Sequence, residues 1–198
     1  MKARDSGMPE EQMWATFFDA PRILAALGFS GTTGNVADFG CGYGTFAVAA
    51  AGLTTATVFA FDIDPEMIEA TAHKARSLGL HNVCAVHRDV IDLGSGLADA
   101  TLAYAMLFNI LHAEQPLVLL REAFRTLAPG GKVAIMHWIY DSSTPRGPHL
   151  SIRPRPEHCR DWLKESGFEL VIPMVSLPPY HYGIVGRKPI DTHEADSL

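Results

Sequence analysis

The stretch VADFGCGYGTFAVAAA, residues 36–51, places Gly40, Gly42 and Gly44 between an apolar run and an alanine-rich run. The apolar run predicts a buried strand and the alanine-rich run predicts a helix, so the glycines fall in the turn between them. Glycine permits a tight turn and lets a ligand approach the backbone closely. In a doubly wound sheet this turn lies beyond the carboxyl end of a strand, where ligands bind. The pattern therefore predicts a ligand site at residues 40–44.

Strand-like and helix-like segments alternate along the chain around this turn. Apolar or β-branched runs predict strands at Asn35–Phe39, Thr57–Asp62, Asn82–His87, Thr101–Phe108 and Lys132–Ile139. Helical spacing predicts helices at Thr45–Ala51, Pro65–Leu78 and Gln115–Leu127. Alternation of this kind is typical of an α/β, doubly wound fold.

The last part of the chain breaks this alternation. After the helix-like segment RPEHCRDWLKESGF come two strand-like runs, FELVIPMVSLP and YHYGIVGRKP, joined by little more than Pro178 and Pro179. So short a link favours antiparallel pairing of the two strands.

Length, charge and cysteine content narrow the function classes. A chain of 198 residues can bury one substantial core, and a formal net charge of -6 argues against a protein that binds phosphate backbones. The three cysteines include no CxxC pair, which indicates free thiols in a reducing compartment. The N-terminus is too polar for a signal peptide, and no apolar run approaches the roughly 20 residues that span a bilayer. We therefore expect a cytoplasmic protein that binds neither nucleic acid nor membrane.

A carboxylate closes the strand that follows the glycine turn. Asp62 lies roughly 20 residues beyond the glycines, where it can accept hydrogen bonds from both hydroxyls of a ribose. A dinucleotide fingerprint would need a glycine at position 45, but that residue is Thr45 and the glycine falls at Gly44. The spacing indicates a nucleoside-containing cofactor without a pyrophosphate; a turn that only needs positive φ is the simpler alternative.

Five segments in order resemble the class I S-adenosylmethionine-dependent methyltransferases: VADFGCGYG, VFAFDIDPEM, HRDV, LFNILH and LAPGGKVAI. The resemblance spans about Val36 to Lys188. It implies a seven-stranded sheet, mostly parallel with a C-terminal antiparallel hairpin strand, and helices on both faces. It also implies three parts: an N-terminal helical cap segment at 1–34, a Rossmann-like methyltransferase domain at 35–188 and a flexible tail at 189–198.

The resemblance also implies roles for the cofactor-binding residues. Asp38 is expected to hold the methionine amino group, and the backbone from Gly40 to Gly44 to line the methionine and the ribose. Asp62 is expected to bind the ribose hydroxyls. The full set of expected cofactor-binding residues is Asp38, Gly40, Cys41, Gly42, Gly44, Asp62, Ile63, Met67, Asp89, Val90 and Leu107.

The adenine is expected to bind beyond the second and third strands. The resemblance places Ile63 and Met67 on either side of the ring, and Asp89 with the amide of Val90 at its amino and ring nitrogens. Ordinary core packing is the alternative for Met67, which lies on the apolar face of its predicted helix. A solvated turn is the alternative for Asp89.

The methyl acceptor is expected beyond the fourth and fifth strands. His112 and His137 lie there, and either could serve as a general base; a structural histidine is the alternative. The long segment from Trp138 to Pro156 is expected to cover the acceptor. The expected acceptor-binding residues are Asn109, Trp138, Tyr140, Arg153 and Arg155, with solvated arginines and core aromatics as the alternatives.

These predictions together describe a single-domain enzyme that transfers a methyl group from S-adenosylmethionine to a small-molecule acceptor and releases S-adenosylhomocysteine. No metal is expected, and a homodimer is compatible with the sequence. Trp14, Phe17 and Phe18 suggest that the N-terminal helix closes over the cofactor. Two alternatives stay open: a nicotinamide-dependent oxidoreductase, and a non-catalytic module that binds S-adenosylmethionine.

Overall fold

A computed structural model describes residues 7–31 and 34–190 of the chain. The first six residues of the expected N-terminal cap segment lie outside the described residues. The same is true of residues 191–198 of the expected C-terminal tail.

The centre of the molecule is one seven-stranded sheet with the order β3-β2-β1-β4-β5-β7-β6. Its strands are β1 (Asn35–Phe39), β2 (Val58–Asp62), β3 (Val83–His87), β4 (Leu102–Phe108), β5 (Leu127–Trp138), β6 (Glu169–Leu177) and β7 (His181–Arg187). Strand β7 runs antiparallel to both β5 and β6, and the pairs among the first five strands are parallel. The predicted α/β fold class and the antiparallel C-terminal hairpin are confirmed.

Seven α-helices are described, together with a 3-10 turn at Leu150–Ile152. They are α1 (Glu11–Ala15), α2 (Ala20–Ala26), α3 (Thr45–Ala51), α4 (Pro65–Ser77), α5 (Val90–Leu93), α6 (Pro116–Thr126) and α7 (Pro156–Glu165). Helix α4 begins as its sequence predicts: Asp64 Oδ1 accepts a hydrogen bond from the Glu66 amide at 2.9 Å, and Pro65 occupies the first turn.

Two apolar cores cover the two faces of the sheet. One packs α2 and α3 against the sheet through residues such as Leu24, Phe46 and Ala50. The other packs α6 and α7 against the opposite face through residues such as Leu120 and Leu163. Because both faces are covered, the central strands are almost continuously apolar, as in other buried parallel sheets.

Among the predicted boundaries, the start of β5 differs most from the structure. Strand β5 begins at Leu127 and not at Lys132, because Leu127 already pairs with Leu102 of β4. The register then shifts, so that Tyr104 pairs with Lys132. The segment Pro129-Gly130-Gly131 therefore interrupts the ladder and does not precede it.

Gly44 fixes how α3 packs against α4. Its φ is +71°, and a Cβ at this position would lie 2.7 Å from Thr71 Oγ1 and 2.8 Å from Thr71 Cγ2. Thr71 is fully buried and β-branched, so it cannot turn away easily. Gly79 also has a left-handed backbone, with φ +69°, but nothing lies within 4 Å of the place its Cβ would take.

Alanine substitutions at these two glycines separate the loss of stability caused by steric contact from the loss caused by backbone strain. We expect Gly79→Ala to lower the free energy of unfolding by about 1 kcal/mol, because it adds only left-handed strain. Gly44→Ala is expected to cost about 3 kcal/mol, because overpacking against Thr71 is added to that strain. Urea denaturation of both variants measures the difference, and equal losses would contradict the tight contact with Thr71.

Candidate active site

A cavity of about 300 Å³ opens at the carboxyl ends of β1, β2 and β4. This volume lies at the lower end of the range for small-molecule sites. The predicted site residues on its wall are Asp38, Gly40, Cys41, Gly42, Asp62, Ile63, Met67, Asp89, Val90, Asn109 and His112. The cavity therefore brings together residues from four separate segments of the chain.

Asp38 is a buried carboxyl group in the central strand β1. Only 2 % of its surface is exposed. Burial, together with the nearby charge of Asp62, raises its pKa to about 7. A carboxylate that has lost its hydration in this way gains strongly from a bound cation.

Asp62 connects the end of β2 to the glycine turn. Its Oδ2 accepts a hydrogen bond from the Gly42 amide at 2.9 Å, and its Oδ1 accepts one from the Asp64 amide at 3.0 Å. Burial raises its pKa, whereas these backbone donors lower it. The turn is held to β2 a second time, because the amides of Gly40 and Cys41 both donate to the carbonyl of Phe61.

The third side of the cavity combines apolar and polar groups. Ile63 is 41 % exposed, unusual for so large an apolar side chain, and it lines the cavity together with Met67. Asp89 caps α5: its Oδ1 accepts hydrogen bonds from the amides of Ile91 and Asp92. This arrangement offers a flat apolar contact beside hydrogen-bonding groups.

Two expected cofactor-binding residues lie elsewhere. Gly44 packs against Thr71 of α4 and does not line the cavity. Leu107 is fully buried in the core beneath α6 and α7. Neighbouring residues of a strand point to opposite faces, so Phe108 takes the place on the cavity wall that Leu107 was expected to take.

Asn109 has two unusual features at the end of β4. Its φ is +55°, rare for a residue other than glycine, and its amide donates to the Met136 carbonyl at 2.7 Å. Its side-chain Oδ1 and Nδ2 are buried without a hydrogen-bond partner among the described residues. Each such atom costs about 1–3 kcal/mol. Backbone strain and unmatched polar atoms on a cavity wall are typical of a functional residue.

The two predicted histidines differ in their access to the cavity. His112 lines it, whereas His137 is fully buried behind His112, with the ring centroids 5.8 Å apart. Burial holds the pKa of His137 well below its usual value, and the nearby His112 lowers it further. His137 is therefore neutral near pH 7.

Arg153 lies away from the cavity, and the structure gives it a different position from the one predicted. Its guanidinium is buried and donates to the carbonyls of Pro148, Ile139 and Arg146, and to Thr144 Oγ1 at 2.7 Å. These bonds hold together the turn between β5 and α7. Because the donors are already used inside the protein, Arg153 has little capacity left to bind an anionic acceptor.

The other residues expected around the acceptor also lie outside the cavity wall. The guanidinium of Arg155 stacks on Tyr140, with 3.7 Å from its carbon to the ring centroid. Trp138 is fully buried, with its ring 5.5 Å from that of Phe17 and 4.2 Å from that of His181. Strand β5 directs Trp138 towards the N-terminal segment, and the aromatic contacts there are packing contacts.

The N-terminal segment supplies part of the cavity wall. Met8 and Trp14 line it. The segment is held in place by Tyr43, whose hydroxyl donates to the Pro9 carbonyl at 3.3 Å, and by an ion pair of 2.5 Å between Glu11 and Lys74. The sequence indicated Trp14 but gave no local signal for Met8.

Several other cavity residues were not expected from the sequence: Thr45, Phe46, Phe61, Asp64, Arg88, Ile91, Phe108, Ile110, Ala113, Glu114 and Leu119. Thr45 and Phe46 directly follow the glycine turn, and Arg88 directly precedes Asp89. Their positions next to recognised motifs are the sequence feature that could have identified them as cavity residues.

Across residues 7–31 and 34–190, no group of three His, Cys, Asp or Glu side chains is arranged to hold a metal ion. The three cysteines are free thiols, and burial raises the pKa of Cys159 to about 12. In the same ranges, no helix has the length and apolarity needed to cross a membrane.

Comparison with known proteins connects this cavity to a family. Residues 36–131 match a family model described as a methyltransferase domain. This range begins in β1 and includes the glycine turn, Asp62, Asp89 and Asn109. The family model thus identifies residues 36–131 as a methyltransferase domain.

Proteins similar to this chain include two that are named ribosomal protein L11 methyltransferase. The one from Methylococcus capsulatus is 40% identical over 104 residues, which cover 51% of this chain and 32% of the relative. The one from Vibrio campbellii is 34% identical over 149 residues, which cover 73% of this chain and 47% of the relative. The chain thus spans less than half the length of these curated relatives.

Solved structures agree with the fold. A SAM dependent methyltransferase from Aquifex aeolicus superimposes with a TM-score of 0.76 at 23% identity, over 86% of this chain and 90% of that one. The [4+2]-cyclase SpnF superimposes with a TM-score of 0.73 at 18% identity, over 95% of this chain and 86% of that one. At sequence identities of 23% and 18%, this structural similarity shows only a shared fold.

The two arginines after β5 give a direct test of the structural position of Arg153. Arg153→Met is expected to lower the free energy of unfolding by about 3 kcal/mol, because several buried carbonyls lose their donor. Arg155→Ala is the matched control and should cost about 1 kcal/mol or less, since it removes one exposed cation–π contact. Urea denaturation measures both. Unchanged stability of Arg153→Met would contradict the role of Arg153 in holding this turn.

Proposed function

We propose that this chain transfers a methyl group from S-adenosylmethionine to a small-molecule acceptor that binds beside Asn109 and His112. The observation that carries the proposal is the placement of Asp38 and Asp62 at the ends of neighbouring strands on one cavity wall. The same cavity continues past them to Asn109.

The residues present fit this cofactor. The desolvated carboxylate of Asp38 matches the cationic amino group of the methionine part, and Asp62 matches the ribose hydroxyls. Ile63 and Met67 form the adenine contact, with Asp89 and Val90 at its polar edge. When bound, S-adenosylmethionine supplies a methyl group on a sulfonium, which already carries the leaving group.

Because the cofactor carries the leaving group, the protein mainly has to align the acceptor and exclude water. We propose that residues 7–31 form a cap on the domain at 35–188, because Met8 and Trp14 close one side of the cavity. Asn109 and His112 lie at the other side. His112 is the candidate general base, since it is the histidine of the pair that reaches the cavity wall.

Three further functions are compared with this one. A protein acceptor is favoured by the name of the curated relatives, but more than half of their length has no counterpart in the match. A module that only binds S-adenosylmethionine is disfavoured by the strained Asn109, which lies beyond the expected cofactor contacts. Thr45 at the third glycine position of the dinucleotide fingerprint argues against a nicotinamide enzyme.

The first experiment is calorimetric titration with S-adenosylmethionine, S-adenosylhomocysteine and NADH. We expect both sulfur nucleosides to bind and NADH not to bind. Asp62→Asn should weaken binding by about 1–3 kcal/mol through lost charge-assisted hydrogen bonds. The control is Asp99→Asn, which alters an exposed carboxylate paired with Arg125 just before β4. Binding of NADH alone would contradict the proposed function.

The class of acceptor is tested by transfer of a labelled methyl group into fractionated cell extract. A small-molecule acceptor predicts label in the low-molecular-mass fraction, whereas a protein acceptor predicts label in the ribosomal protein fraction. Label found only in protein would overturn the small-molecule assignment and leave methyl transfer intact.

The raised pKa of Asp38 predicts a pH-dependent cofactor affinity. The cationic amino group binds the carboxylate form, so below pH 7 binding must first remove a proton from Asp38. The dissociation constant for S-adenosylhomocysteine should rise about tenfold for each pH unit below 7 and level off above it. Methylthioadenosine, which lacks the amino acid part, is the matched ligand and should show no such change. Asp38→Asn should abolish the pH dependence, and a persistent slope in this variant would contradict the assignment.

A further inference from the structure

Buried polar atoms that the expected cofactor contacts do not use lie on the inner wall of the cavity and directly behind it. Within residues 7–31 and 34–190, neither Oδ1 nor Nδ2 of Asn109 has a hydrogen-bond partner. Both ring nitrogens of His137 also lack one. Buried polar groups are normally hydrogen-bonded. The two unmatched atoms of Asn109 lie on the cavity wall and therefore indicate where a polar ligand binds, whereas those of His137 lie behind His112.

The sheet brings these atoms to one edge. Phe108 of β4 pairs with Met136 of β5, so Asn109 and His137 directly follow paired residues of neighbouring strands. The Asn109 amide donates to Met136 and fixes the left-handed turn that follows β4. His112 lies between His137 and the open cavity, with its ring at 76° to that of His137.

The charged and neutral groups near this edge of the sheet determine which charge a bound ligand can carry. His137 is held neutral by burial and by the nearby His112, and His181 and Arg153 also lower its pKa. A neutral imidazole offers one donor and one acceptor, and the Asn109 amide offers both kinds of group. The buried guanidinium of Arg153 adds positive potential, which disfavours an ammonium group. On this side of the cavity, the carboxylate of Glu114 is exposed at the rim.

We propose that the methyl acceptor is an uncharged compound whose hydroxyl group, as in a phenol or an enol, hydrogen-bonds to Asn109 and to the imidazole of His112. This inference rests on the proposed function, since it requires the acceptor to enter this cavity. A hydroxyl donates one hydrogen bond and accepts others, which matches the unmatched Oδ1 and Nδ2 of Asn109.

Methylation of that hydroxyl needs no reactant other than S-adenosylmethionine and the acceptor. The oxygen–carbon bond forms as the carbon–sulfur bond of the sulfonium breaks, and the electron pair of that bond stays on sulfur. The hydroxyl proton passes to the imidazole nitrogen of His112 and from there to water.

The test is calorimetric titration of the protein saturated with S-adenosylhomocysteine, using phenol, benzylamine and benzoate at pH 7.5. We expect phenol to bind about tenfold more tightly than benzylamine, which is an ammonium ion at this pH. Asn109→Gly, which relaxes the left-handed backbone while removing the amide, should weaken phenol binding about fivefold to tenfold. The affinity for S-adenosylhomocysteine should not change.

Two variants separate binding from structure. Ala100→Gly relaxes the other described non-glycine residue with positive φ, at +55°, and should leave phenol binding unchanged. His137→Phe keeps the ring shape without nitrogens and lies behind His112, so it should raise the melting temperature and leave phenol binding unchanged. Weaker phenol binding in this variant would mean that the ligand reaches behind His112, and it would overturn the inference.

Ligand preference separates this inference from the proposed function. If S-adenosylhomocysteine binds and benzylamine is preferred to phenol, the cofactor assignment stands and the hydroxyl acceptor is wrong. If S-adenosylhomocysteine does not bind at all, the proposed function fails and this inference fails with it.

Discussion

The site depends on the point where the strand order reverses. From β1 the chain moves outward through β2 and β3 and then crosses back to β4 on the other side of β1. The connections that follow β1 and β4 therefore leave the sheet in opposite directions, and a crevice opens between their carboxyl ends. Every functional feature described above lies at this crevice. Asp38 occupies its floor, the glycine turn one wall and Asn109 the other.

The protein keeps several groups at the crevice in unfavourable states. Asp38 is a buried carboxyl group next to another acid, Asp62, and both have raised pKa values because burial disfavours their charged forms. Asn109 combines a left-handed backbone with unmatched buried polar atoms. A folded protein tolerates such costs when the surrounding packing is strong, and the two apolar cores supply that packing. A bound cation at Asp38 and a hydrogen-bonding ligand at Asn109 would relieve both.

The two sides of the crevice are built differently. The cofactor side is made by short connections directly after strands, with side chains fixed by backbone hydrogen bonds, as at Asp62 and Asp89. The acceptor side depends on segments far apart in sequence, including the N-terminal residues Met8 and Trp14. The long segment after β5 contributes rigidity, because Arg153 ties its carbonyls together.

The sequence by itself determined the α/β fold class, the antiparallel hairpin and most of the cofactor side. These follow from local rules: apolar runs, helix caps and glycine turns are set by neighbours along the chain, and the carboxyl ends of parallel strands must meet at one edge. Only the tertiary structure decided that Leu107 faces the core, that His137 lies behind His112 and that Arg153 holds a turn. The face on which a fully apolar strand places each side chain, and the partners of a loop arginine, depend on packing between distant segments. Residues that are adjacent in sequence do not specify that packing.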